Sequence, residues 1–134
     1  PKPSSAASDV YKRQGLLAVM ADAERGLGRP EKALELGRSP EARELDEAGQ
    51  IELAIVLAGA RHDLGQHESA VAQLQRLNPS LGSQGFEQAR LSYAYADALL
   101  ATGEKAEAKR WFEHVAKIDV DGMTDASERV AELG

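Results

Sequence analysis

The chain has 134 residues, room for one domain, with 28% charged and 4% aromatic residues and a net charge of −6. It has no Cys, which excludes a disulfide framework and a thiolate metal site. The acidic balance argues against a nucleic-acid binder, which needs a basic face to displace counterions, and no segment reaches the roughly 18 apolar residues that span a membrane.

Residues 1–14, PKPSSAASDVYKRQ, have no initiator Met and no amphipathic period. They lack the apolar core of a secretion signal and resemble translated adaptor sequence at the end of an open reading frame. They read as a disordered or artefactual tail, ahead of a helical repeat domain over 15–134. Residues 15–27 predict a helix with Leu17, Met20, Ala21 and Leu27 on its apolar side. Gly28 stops it, and Pro30 suits the first turn of the next helix. Ala33 is small where those two helices would cross. Ser39 is the expected cap for a short turn starting at Pro40.

The most apolar run, IELAIVLAGARHDL over 51–64, predicts a central helix with Ile51, Ala54, Leu57 and Ala58 on one face. Gly65 ends it. Ala70, Leu74 and Leu77 pack the following helix, which stops at Asn78-Pro79 because Pro disfavours helical geometry in the residue before it. After a Gly- and Ser-containing loop comes the clearest segment, ARLSYAYADALLATGEKAEAKRWFEHVAKID over 89–119. Its first half places Leu91, Tyr95, Ala98 and Leu99 on one helical face. Thr102-Gly103 breaks it, and Glu104 opens a second helix whose stripe is Ala108, Trp111, Phe112, Val115 and Ile118. Beyond it, Asp125 and Glu128 have capping-box spacing for a last short helix over 124–133.

Gly28, Gly65 and Gly103 lie 37 and 38 residues apart (65 − 28 and 103 − 65). Around them LGRPEKAL, LGQHESAV and TGEKAEAK align without gaps. A repeated helix–Gly–helix unit of this length is a solenoid signature. The segment over 89–119 resembles the tetratricopeptide repeat (TPR) family, through a small residue at Ala96, the turn Gly103, Ala108, the aromatic Phe112 and a closing Asp119. It departs at Ser92, where Trp or Leu is usual, at Val115 for a small residue and at Val120 for Pro. The same signature falls on Gly28 and Ala33 in the first unit, where Gly37 replaces the aromatic, and on Gly65 and Ala70 in the second. The resemblance implies an all-α, right-handed α-solenoid of about three antiparallel hairpins (about 15–40, 47–79 and 86–120) with a short C-terminal helix.

No residue set argues for catalysis. The segment 117–128 has Asp119, Asp121, Gly122 and Glu128 at calcium-loop places, but Lys117 holds the first, where a cation would repel Ca²⁺. A repeat-closing turn and a helix cap explain it better, and the segment is expected to be metal-independent. His62, His67 and His114 show no i, i+4 pairing and read as solvent-facing. Ser39, Ser69, Ser83 and Ser92 lie in no nucleophile pattern. The chain is expected to be no enzyme and to need no cofactor or metal.

The resemblance also implies a use. First helices of such hairpins line a concave groove, and the lining places map to Ala18, Asp22 and Arg25, to Glu52, Ile55, Gly59, His62 and Asp63, and to Arg90, Tyr93, Asp97 and Leu100. The Lys and Asn that grip a peptide carboxylate in some relatives are absent. Tyr93, Ile55 and the acids suit an amphipathic or basic peptide. The expectation is a cytoplasmic, bacterial protein-interaction module for an unidentified protein or peptide partner. A structural role by self-association through exposed repeat ends, or an accessory domain of a larger regulatory protein or enzyme, is the alternative.

Overall fold

The computed structural model describes the backbone of residues 3–134 and the side chains of residues 15–134. Among the described residues it holds α-helices and no strand. They divide into two compact units, Pro1–Gly65 and Gln66–Gly134. The division falls inside the second expected repeat, at its Gly turn.

Unit 1 contains α1 (Pro3–Gly26), α2 (Pro30–Gly37), α3 (Pro40–Arg43) and α4 (Glu47–Asp63). Helix α1 begins at Pro3, well ahead of Gly15. No Pro or Gly lies between residues 4 and 14, so nothing in that stretch stops a helix from extending toward its N-terminus. The side chains of the expected tail lie outside the described residues. Pro30 and Pro40 each sit at a helix start, where a missing N–H leaves no bond unmade. Asp46 caps α4, its carboxylate accepting the Gly49 N–H at 2.8 Å. Ser39 does not cap the helix that follows it. Its hydroxyl donates backward to the Leu36 carbonyl at 2.7 Å, closing α2 instead, because the last carbonyls of a helix lack partners within it.

Helices α2 and α4 pack on α1 and on each other. Their shared core is Leu17, Ala21, Ala33, Leu34, Leu53, Leu57 and Ala60, with Leu36, Val56 and Leu64 against it. Burial on α1 runs through Leu17, Ala18 and Ala21. Met20 and Leu27, expected inside, are exposed, because the described partners of α1 cover only one side of it. Gly37 has a steric reason: a Cβ there would sit 2.5 Å from Leu57 Cδ1. Helix α2 approaches α4 too closely for the aromatic that the family pattern prefers.

Unit 2 contains α5 (His67–Gln75), α6 (Phe86–Ala101), α7 (Lys105–Ile118) and α8 (Ala126–Leu133). The antiparallel pair α6/α7 is the hairpin that the sequence predicts. Gly103 takes φ +87°. Its N–H donates to the Leu100 carbonyl at 3.0 Å, and the Glu104 N–H donates to the Leu99 carbonyl at 3.0 Å. This double closure needs a left-handed residue, which glycine adopts without Cβ strain. Gly28 and Gly65 take the same conformation, at φ +76° and +73°, so the three aligned glycines make one kind of turn.

Ala108, Phe112 and Val115 are fully buried on α7, and Trp111 is buried with them. Tyr95 meets Trp111 edge-on at 5.0 Å, a favourable aromatic geometry. Helix α5 packs on α6, and α8 packs on α7. Leu77 lies past the end of α5 and is half-buried.

Two expectations in this unit are corrected. His114 is buried, not solvent-facing, with Nε2 3.0 Å from the Ser83 hydroxyl and its ring 6.0 Å from that of Trp111. The Asp125–Glu128 capping box does not form: Asp125 makes no cap bond, because its carboxylate accepts from the Tyr93 hydroxyl at 2.5 Å. The Ala126 N–H donates to the Thr124 hydroxyl instead, at 3.3 Å.

Candidate functional site

The expected lining residues fall into two groups, one in each unit. In unit 1, Arg25 sits in the last turn of α1. Its guanidinium forks onto Asp63, with Nε–Oδ2 2.8 Å and Nη2–Oδ1 3.2 Å, and reaches Asp22 at 3.2 Å. Two features of α4 favour that contact. Asp63 ends the helix, where a negative charge meets the negative pole of the helix dipole and needs compensation. Gly59 lies one turn earlier, and a Cβ there would come 2.6 Å from the guanidinium carbon, so glycine lets Arg25 lie flat against the backbone. The hydrogen bond from Arg25 holds the Asp63 carboxyl below its ordinary pKa. Glu52, Ile55, Gly59 and His62 are half-buried. Ala18 is buried and offers no surface.

In unit 2, Tyr93, Asp97 and Leu100 are half-buried along α6. The first two receive Arg129 from α8. Its guanidinium donates to the Tyr93 hydroxyl at 3.0 Å and to Asp97 Oδ1 at 2.9 Å. It also lies 4.6 Å from the Phe112 ring centroid, a cation–π contact. Burial, and then the hydrogen bond to Asp125, push the Tyr93 phenol up. Arg90, the remaining lining candidate, lies 5.9 Å from the Phe86 ring centroid.

Several of the residues expected to line a groove instead tie, in each unit, a first helix to a later one: α1 to α4 through Arg25–Asp63, and α6 to α8 through Tyr93 and Asp97. Arg129 and Asp125 are the residues that reading the sequence misses. A signal for them was present, since Ala126 follows Ala89 by one repeat length (126 − 89, or 37) and both are buried. Helix α8 stands where a fourth first helix would begin.

The arrangement offers hydrogen bonding, charge pairing and a ring face. Among the described residues no group of three or more His, Asp or Glu is placed to hold a metal ion. The Asp119 carboxylate, in the segment with calcium-loop spacing, accepts from the Thr124 hydroxyl and from the Met123 and Thr124 N–H groups at 2.6 to 2.9 Å. Those bonds close the turn and hold its pKa low. Among the described residues no helix is long and apolar enough to cross a membrane.

Compared with known proteins, residues 89–114 match the family model described as the tetratricopeptide repeat. No curated protein and no solved structure matches the chain.

Proposed function

Because the chain carries a tetratricopeptide repeat over residues 89–114, we propose that it is a protein-interaction module, without chemistry of its own, that receives a basic peptide or protein segment on its first-helix faces. The repeat supports a protein partner in general. The finer reading rests on one observation: Arg129 is seated on Tyr93, Asp97 and the Phe112 ring. A face that accepts an arginine from its own chain has the acid, the hydroxyl and the ring that an incoming arginine would use. In unit 1, Asp22, Glu52, Ile55 and His62 extend the same reading, with Arg25 holding Asp22 and Asp63 in place.

The test is fluorescence anisotropy with labelled Arg-bearing helical peptides, set against Glu-bearing peptides of equal length. Arg129→Ala should tighten binding of the basic peptide by releasing Tyr93 and Asp97. Asp97→Lys should abolish it. Circular dichroism must show both variants folded. If Asp97→Lys, still helical, binds the basic peptide as well as the unaltered chain does, the assignment of this face is wrong.

A further inference from the structure

Helix α1 and the residue that follows it, Leu27, carry an open apolar stripe. Leu16, Val19, Met20 and Leu27 are 51%, 64%, 45% and 64% exposed, and Ala23 is exposed between them. Their spacing puts them on one helical face, over about 17 Å of helix. Moving 37 positions along the chain, from Gly28 to Gly65, turns this stripe into Leu53, Val56, Leu57 and Ala60 of α4 and Leu64 just past its end. Four of the five side chains are identical, and Met20 becomes Leu57. On α4 this set is buried, or partly buried, in the core shared with α1 and α2. The stripe on α1 is thus an interface face of the repeat, in register, without a partner among the described residues. Scattered exposed apolar residues are ordinary, but a contiguous helical stripe that is buried in its sister copy marks a contact surface.

The stripe borders a groove of about 700 Å³ between α1 and α2, floored by Met20, Ala23 and Leu36. Its rim carries both signs: Arg29 pairs with Glu24 at 3.4 Å and Lys32 with Glu35 at 3.5 Å. In a chain of net charge −6, this neutral rim lets two identical surfaces meet without like-charge repulsion. A head-to-tail partner is less suited, since α8 exposes Ser127, Glu128 and Glu132. We infer that the occupant is a second copy of this chain, in a two-fold dimer where α1 of each copy lies in the α1/α2 groove of the other. An isologous contact of this kind closes on itself. It is independent of the basic-peptide reading.

Sedimentation velocity of the full chain across a wide concentration range tests it. The expected result is a reversible monomer–dimer equilibrium. Val19→Glu should weaken the dimer by more than about tenfold, because it buries an unpaired charge. Met123→Glu, an exposed apolar position outside the stripe, should leave it unchanged. Both sites are exposed, so both variants should fold, and Val19→Glu should bind basic peptide as before. A chain that stays monomeric, a dimer lost with Met123→Glu and kept with Val19→Glu, or open-ended growth in mass would each overturn the dimer. If the chain is monomeric but melts higher when a second copy of the α1/α2 hairpin is fused ahead of it, the face belongs to a preceding repeat and not to a second copy.

Discussion

Ser92 is fully enclosed in unit 2, and its hydroxyl has no hydrogen-bond partner. An enclosed polar atom that loses water and gains nothing destabilises the fold by about 1–3 kcal/mol. Ser is also a poorer helix former than Ala. Ser92→Ala should therefore raise stability by roughly 1 kcal/mol, read as a melting temperature a few degrees higher. A lower melting temperature would show that the hydroxyl is engaged. His114 behaves differently because its polar atom is used. The Ser83 hydroxyl donates to the Ser80 carbonyl at 2.6 Å, so its oxygen accepts from His114 Nε2–H. Burial, and then the nearby charge of Lys117, hold the imidazole below its ordinary pKa. The unfolded chain then binds the proton more readily than the folded one, so this contribution is complete above about pH 6.5 and is lost as pH falls through the folded value. Melting temperature followed downward from about pH 8 should stay level and then decline below about 6.5. His114→Gln, which keeps an N–H for Ser83, should flatten that decline.

At the scale of elements, α8 shows how a short helix is held. Eight residues are too few to be stable alone, so its order depends on what it touches. Arg129 supplies two hydrogen bonds and a ring contact to α6 and α7, and Asp125 adds the Tyr93 bond. Arg129→Ala should make the amides of 126–133 exchange with solvent at least tenfold faster, since losing about 1.4 kcal/mol of contacts does that, while the α6/α7 amides change little. Equal protection would mean that apolar packing alone holds the helix. The hairpins were legible in the sequence because their determinants are local. Gly103 with Ala108, and their counterparts Gly65 with Ala70 and Gly28 with Ala33, act within a few residues of the turn. What went unread is long-range. Arg129 reaches partners 32 and 36 residues back, and His114 reaches Ser83 31 residues back. Local rules made Ser39 and Asp125 look like caps, and in both cases another partner took the side chain. Repeat register assigns lining positions, but it does not tell that Asp22, Tyr93 and Asp97 already hold arginines of this chain.

For the whole molecule, the question is whether damage spreads. Each unit has its own buried set: Leu17, Leu34, Leu53 and Leu57 in unit 1, and Leu74, Leu91, Phe112 and Val115 in unit 2. Repeat folds are held by contacts inside each unit and with the nearest neighbour, so a lesion should act most strongly where it lies. Ala108 has no exposed surface on α7, and the repeat register puts it where α6 and α7 would cross, so it is the most direct place to put one. Ala108→Arg brings both volume and an unpaired charge into that crossing, at a cost of several kcal/mol, comparable with the stability of a small domain. Hydrogen exchange resolved by segment should show α6 and α7 losing most of their protection. Helices α1, α2 and α4 should keep theirs, because the Leu17–Leu34–Leu57 core contains no residue of α6 or α7. If all helices lose protection together, the chain folds as one cooperative block and the two cores are coupled. If none does, Ala108 is not at the crossing, and the repeat register that aligns Gly28, Gly65 and Gly103 fails with it.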